Sequence, residues 1–233
     1  MLKRALRLKL AYRHVSDLFA ALHRIAPEKR TAFRGRLQHF QKLRFPPGVN
    51  TGKGKAVEYG ADSVLSLAVA LELAQLGVPP DRSVRLLTEN LTHIVVASRI
   101  ASHWLGAANK EVMYLYLDPT ALISLMDETA EEEVSETFFY GGWPVVRELM
   151  DRGGTGDLRR MALINLTQVM IQICQHLDDA PHSVTSDDFI SGVQDWTLEE
   201  LAGPDEVVDE LASLSKSAEA LRLKVIDGSH SQT

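Results

Sequence analysis

Apolar positions in the first ninety residues recur at helical spacing, and proline and glycine mark the breaks between them. Val15, Leu18, Phe19, Leu22 and Ile25 share one face, with Ser16 near the start and Pro27 just beyond, so His14 to Ile25 is predicted to be a short amphipathic helix. A second helix is predicted from Pro27 to Arg44, opened by a residue whose fixed φ and missing N–H suit a first turn, and ended by Phe45-Pro46-Pro47-Gly48. At about 100° per residue, Phe33, Leu37, Phe40 and Leu43 gather on one side of it. Arg30, Thr31, Arg34, Gly35, Gln38, Gln41 and Lys42 take the opposite arc. One face is suited to packing and the other to a polar partner.

Val49 to Tyr59 places β-forming residues on either side of Gly52-Lys53-Gly54-Lys55, the pattern of a small basic hairpin with a glycine tip. Asp62 or Ser63 is positioned to cap a third helix, Val64 to Leu76, which is apolar nearly all round and therefore expected to be buried, with Gly77 as its stop. Pro79-Pro80-Asp81 opens a fourth helix carrying Val84, Leu87 and Leu91, and the pattern allows it to run on through Ile94-Val95-Val96.

Beyond Lys110 the texture changes. Glu111 to Leu117 reads as a strand followed by a helix from Ala121 to Met126, and Arg160 to Leu166 repeats the scheme ahead of a helix from Gln168 to Leu177, with Thr167 as its N-cap. Between the two units, Glu128 to Gly156 is acidic at Glu131-Glu132-Glu133 and punctuated by Gly141-Gly142-Trp143-Pro144 and Gly153-Gly154. Val207, Leu211, Leu214, Ala218, Leu221 and Val225 then follow an alternating four-and-three spacing, which serves equally for a helix packed on its own domain or for a dimer seam. The last residues, from Gly228, have the composition of a disordered tail.

Charge changes the picture. The chain of 233 residues is acidic overall, at −6. Met1 to Lys55, however, holds 14 Lys and Arg against Asp17 and Glu28, a net of +12, and the remainder carries −18. Such a dipolar molecule attracts polyanions at one end and repels them at the other. Cys174 is the only cysteine, so neither an internal disulfide nor a cysteine zinc site can form, and a reducing cytosol is the expected compartment. The longest apolar stretch, Val64 to Leu76, contains Glu72 and is far below the roughly 20 residues a bilayer needs. The eight histidines show no i,i+4 pair, which leaves no local ligand set for a metal, and no cofactor is expected. Neither a phosphate-binding glycine loop nor a nucleophile elbow is present, and the carboxylates at 131–133 and 178–179 read as solvated loops. An enzyme is not expected.

The order of helix, polar-faced helix, Pro/Gly break, basic hairpin, buried helix ending in Leu76-Gly77 and Pro-initiated fourth helix resembles the MerR-like winged helix-turn-helix group. The residues that carry the likeness are Arg34 to Arg44, Phe45 to Gly48, Gly52 to Lys55 with Tyr59, and Leu71 to Pro80, within roughly residues 12 to 92. Two departures stand out: a basic extension precedes the first helix, and Ser102 to Lys110 interrupts the long coiled-coil helix such proteins place after the fourth, so metal or drug sensing is not implied.

The resemblance implies a mainly α protein: a basic arm at 1–11, a winged-helix DNA-binding domain of four helices and a hairpin wing at 12–98, a C-terminal α/β or mostly helical domain for dimerisation or sensing at 99–226, and a tail at 227–233. It also implies that helix 27–44 enters the major groove while wing 49–58 touches the backbone. Arg30, Arg34 and Gln38 are then the candidate base readers, since Arg pairs bidentately with guanine and Gln with adenine. Thr31, Arg36, Lys42, Asn50, Thr51, Lys53 and Lys55 are candidates for phosphate, and Gly35 would allow close approach. The expected role is a bacterial-type, sequence-specific regulator of transcription that binds double-stranded DNA as a homodimer in the cytoplasm, at the nucleoid. Its second half would meet an unidentified ligand or protein. The alternative is an excisionase-like accessory protein that bends DNA for recombination.

Overall fold

A computed structural model of the chain describes residues 8–49, 57–105, 111–117, 138–151, 161–180 and 184–201. The architecture is mainly helical, with eight α-helices among the described residues and two small antiparallel sheets. At its centre lies α3 (Ala61–Gln75), whose buried residues point in every direction around the helix: Val64, Leu65, Leu67, Ala68, Val69, Ala70, Leu71 and Leu73. A helix apolar all round must be covered all round.

The cover comes from both halves of the sequence. From the N-terminal half come α1 (Tyr12–Leu22), α2 (Arg30–Lys42), α4 (Pro80–Glu89) and a two-stranded ribbon, β1 (Leu10–Ala11) with β2 (Glu58–Tyr59). α5 (Leu91–Leu105) leads to a three-stranded sheet of β3 (Met113–Leu117), β4 (Phe139–Gly142) and β5 (Ala162–Asn165), in the order β4-β3-β5. α6 (Trp143–Asp151) folds back on β4, and α7 (Leu166–Asp179) and α8 (Ser186–Leu201) follow β5. α8 lies against α3 and α5, and α7 against α1 and α5. The approach of α8 to α3 is close: a Cβ on Gly192 would stand 2.8 Å from that of Ala61. One apolar cluster therefore runs from Leu8 to Val193.

Several expectations meet a different chain path. Leu8 and Leu10 are buried, so the chain enters the core before residue 12, while residues 1–7 lie outside the described set. The expected boundary between 98 and 99 falls inside α5, where Ala97, Ser98 and Ala101 are fully enclosed. Glu58 and Tyr59 pair in antiparallel register with Ala11 and Leu10. Residues 50–56, which hold the glycine tip, are not described, nor are the predicted helices at 121–126 and 205–225 or the tail.

The fourth helix stops at Asn90, whose buried side chain donates from Nδ2 to the Leu86 carbonyl and accepts at Oδ1 from the Phe138 N–H, so α4 and α5 are separate helices. Gly141-Gly142 belongs to β4 and Trp143-Pro144 to α6, not to a loop. β3 pairs antiparallel with both neighbours, Leu115 facing Tyr140 on one side and Ile164 on the other.

Helix ends explain the remaining shifts. α1, α2 and α3 close in the same way: Ile25 N–H donates to Ala20 O and Arg24 N–H to Ala21 O; Phe45 to Phe40 and Arg44 to Gln41; Val78 to Leu73 and Gly77 to Ala74. This double bond pattern requires a left-handed residue, supplied by Gly77 at φ 84° and, less usually, by Arg24 at 50° and Arg44 at 59°. The Phe40 and Phe45 rings, 6.2 Å apart, add the apolar contact that accompanies such a closure. α3 begins after Gly60, with Asp62 and Ser63 inside its first turn rather than capping it. Asn165, not Thr167, caps α7, accepting from the Gln168 N–H at 2.8 Å. The Thr167 hydroxyl instead accepts the Met113 N–H at 2.8 Å and ties β3 to α7.

That bond predicts a measurable cost. Thr167→Val keeps the shape but leaves the buried Met113 N–H without an acceptor, so urea denaturation should show a loss of about 1–3 kcal/mol. A change below about 0.5 kcal/mol, the level of an ordinary surface substitution, would contradict it.

Candidate nucleic-acid interface

α2 is a two-faced helix. Phe33, Leu37 and Phe40 are buried, and Arg30, Thr31, Ala32, Arg34, Gly35, Arg36, Gln38, His39 and Lys42 are exposed. A 3₁₀ turn at Pro27–Lys29 leads into it, so the predicted span divides into two helix types and stops at Lys42. Its main neighbours are α1 and α4, with Leu71 and Ala74 of α3 and Tyr59 of β2 also beside it, and its polar arc faces outward.

The helical period sorts the exposed side chains into three strips. Opposite the buried residues lie Thr31, Gly35, Gln38 and Lys42, about one turn apart in succession. Arg30 and Arg34 flank this strip on the side of α1: an Arg30 nitrogen stands 3.4 Å from Asp17 Oδ1, and Tyr12 OH donates to the Arg34 carbonyl at 3.5 Å. The exposed Arg30 contact is loose and holds the side chain weakly. Arg36 and His39 flank it on the side of α3 and α4, lining a shallow groove with Leu71, Ala74 and Pro80; His39 Nε2 is 3.4 Å from Asp81 Oδ1. Gly35 has nothing within 4 Å of where a Cβ would stand.

Gln41 is not part of the outward face. It is half-buried, and its Nε2 donates to the hydroxyl of buried Tyr59 at 2.7 Å. Burial pushes the Tyr59 phenol above its ordinary range, keeping it protonated. The bond fastens β2 to the C-terminal part of α2. Because Val49 and Val57 also pack against the core, both ends of the segment that carries Asn50, Thr51, Lys53 and Lys55 are anchored there; those four residues lie outside the described set.

Charge around α2 matches its polar face. Residues 8–49 hold nine Lys and Arg against Asp17 and Glu28. Elsewhere the balance reverses: α7 and α8 carry no Lys or Arg, and a cleft of about 550 Å³ between α8, the start of α3 and Pro46–Gly48, just past the end of α2, is lined by Glu58, Asp62, Asp195, Trp196, Glu199 and Glu200, with Lys9 bound to Glu58 at 2.8 Å. A polyanion is favoured along the outward face of α2 and disfavoured at the cleft.

Other chemistry has less to build on. Burial, aided by Asp178 and Asp187, pushes the Cys174 thiol up to about 12, which denies it thiolate character. Asp178 serves structure, accepting the Ser186 N–H at 2.9 Å at the start of α8. Among the described residues no group of three or more His, Cys, Asp and Glu is placed to hold a metal ion, and no helix is long and apolar enough to cross a membrane.

Beneath α2, His23 sits between Phe19 and Phe33, with ring centroids 6.5 and 6.4 Å away, and its Nδ1 is 3.9 Å from Glu72 Oε1. An ion pair would raise the histidine and lower the carboxyl. Burial does the opposite to each, lowering His23 and raising Glu72, and at 3.9 Å the contact is too long for a hydrogen bond to reverse it. With its folded value below 6.5, His23 contributes stability that is present above that pH and lost as pH falls toward the folded value. Glu72, raised above 4.5, makes the opposite contribution, lost as pH rises through its folded value. Urea titrations should therefore show that His23→Gln loses less stability than the parent chain as pH falls below about 6.5. Identical slopes would place the effect elsewhere. Comparison of the chain with protein-family profiles, with characterised proteins and with solved structures finds no match in any of the three.

Proposed function

We propose that this chain binds double-stranded DNA by laying α2 in the major groove, and that it is a winged helix-turn-helix regulator of transcription working as a homodimer. The observation that carries the reading is the outward strip Thr31-Gly35-Gln38-Lys42 with arginines on both flanks, on a helix that bears no carboxylate of its own. An α-helix fits the major groove, Gln38 offers the paired donor and acceptor that adenine matches, and Arg34 the fork that guanine matches. The gap above Gly35 lets the backbone of the helix approach a base edge or a phosphate. The winged element is supported by the β1–β2 pairing and the Gln41–Tyr59 bond, which fasten to α2 the strand that follows the Gly-Lys-Gly-Lys sequence. Dimerisation follows from energetics, because one such module buries a modest interface and paired half-sites are the usual route to specificity.

Gly35→Ala gives the most discriminating test. Inside an exposed helix, with no clash to meet, the substitution should raise folding stability by about 1 kcal/mol. The added methyl should nevertheless weaken duplex binding in a fluorescence-anisotropy titration. Undiminished affinity in the stabilised variant would remove α2 from the interface.

Gln38→Ala should cost about 1–3 kcal/mol on the preferred site and much less on random duplex. Equal losses on both would make Gln38 a backbone contact. Mapping of bound sites across the genome separates regulator from recombination accessory: dispersed promoter palindromes support the first, and a cluster at one attachment locus, with strong bending, the second.

A further inference from the structure

α1, α2 and α3 end in the same hydrogen-bonded closure, each with one residue forced into left-handed backbone. In α3 that residue is Gly77, which adopts the conformation without steric cost. In α1 and α2 it is an arginine, Arg24 or Arg44, held where L side chains are disfavoured. Both are exposed, and neither has a carboxylate partner among the described residues. A cation near a helix C-terminus gains from the dipole, but α3 presents the same dipole and uses glycine. The two closures that retain a guanidinium are those at either end of α2.

Their placement follows from the turns. The His23 ring stands 6.4 Å from that of Phe33, and His23 and Ile25 line one shallow pocket with Ala32 and Phe33, which places Arg24 near the first turn of α2. Arg44 lies two residues beyond the last turn, fixed by Phe45 against Phe40. A helix of 13 residues is about 20 Å long, and the major groove is about 12 Å wide. Groups at the two ends of a helix seated across the groove therefore overhang the two phosphate backbones. The backbone N–H groups of Arg24 and Arg44 are already spent inside the closures, so only the guanidinium can make the contact.

We infer that Arg24 and Arg44 are a pair of phosphate anchors that clamp α2 across the groove of duplex DNA from its two ends. The inference rests on the DNA-binding reading above and adds residues that read no base. It is tested on the full chain with Arg24→Gly, Arg44→Gly and the corresponding lysine variants, using a random-sequence duplex, a salt titration and a thermal melt.

Each glycine variant should melt at or above the wild-type temperature yet bind several-fold more weakly, with the slope of log K against log salt shallower by about 0.9. Lysine should restore the slope. Unchanged affinity and slope in both glycine variants, with wild type still binding duplex, would overturn the anchors and leave the DNA-binding reading standing. A lower melting temperature with an unchanged slope would assign the arginines to the helix dipoles instead. Failure of the wild-type chain to bind any duplex would overturn both readings.

Discussion

The rest of the structure depends on the burial of α3. With ten buried residues distributed around its axis, this helix has no face that tolerates water, and every surrounding element is placed by the need to exclude it. α4 and β2 cover part of it; the remainder is closed by α7, α8 and β5, from the other end of the sequence. The contact between Gly192 and Ala61 shows how tight the closure is, since even one methyl group on α8 would collide. α2 takes little part in that closure. Its three buried side chains fasten it to the body, and its polar circumference is presented outward.

The sequence revealed α2 and α3 because their message lies in periodicity, which survives without knowledge of neighbours. The two-sided distribution of Phe33, Leu37 and Phe40 against Arg34, Gly35 and Gln38 is found in the structure as it was read. Gln41 shows the limit of that reading: its wheel position is polar, but Tyr59 offers a hydroxyl from 18 residues away and draws it inward. Thr167 is a similar case. Its position invites a capping role, and Met113, 54 residues distant, claims the hydroxyl.

Other elements were hidden by local signals of the wrong kind. Gly141-Gly142 resembles a turn, yet Gly141 serves a packing need, because a Cβ there would stand 2.9 Å from the Val145 side chain as α6 folds over β4. α8, by contrast, carries clear local signals. Thr185 and Asp188 form a reciprocal cap, each backbone N–H donating to the other side chain, and Phe189, Val193, Thr197 and Leu201 follow at helical spacing. The left-handed Arg24 and Arg44 carried no local warning, since glycine and asparagine are the residues that announce such turns.

Asn90 has a wider meaning than the break it makes between α4 and α5. Its amide is used twice, once to end a helix of the N-terminal half and once to hold the chain at Phe138, just before β4. A disturbance at the sheet thus has a short covalent and hydrogen-bonded route to the helix that flanks α2. The two halves of the sequence, opposite in charge, are thus joined both by one apolar core and by a single buried amide.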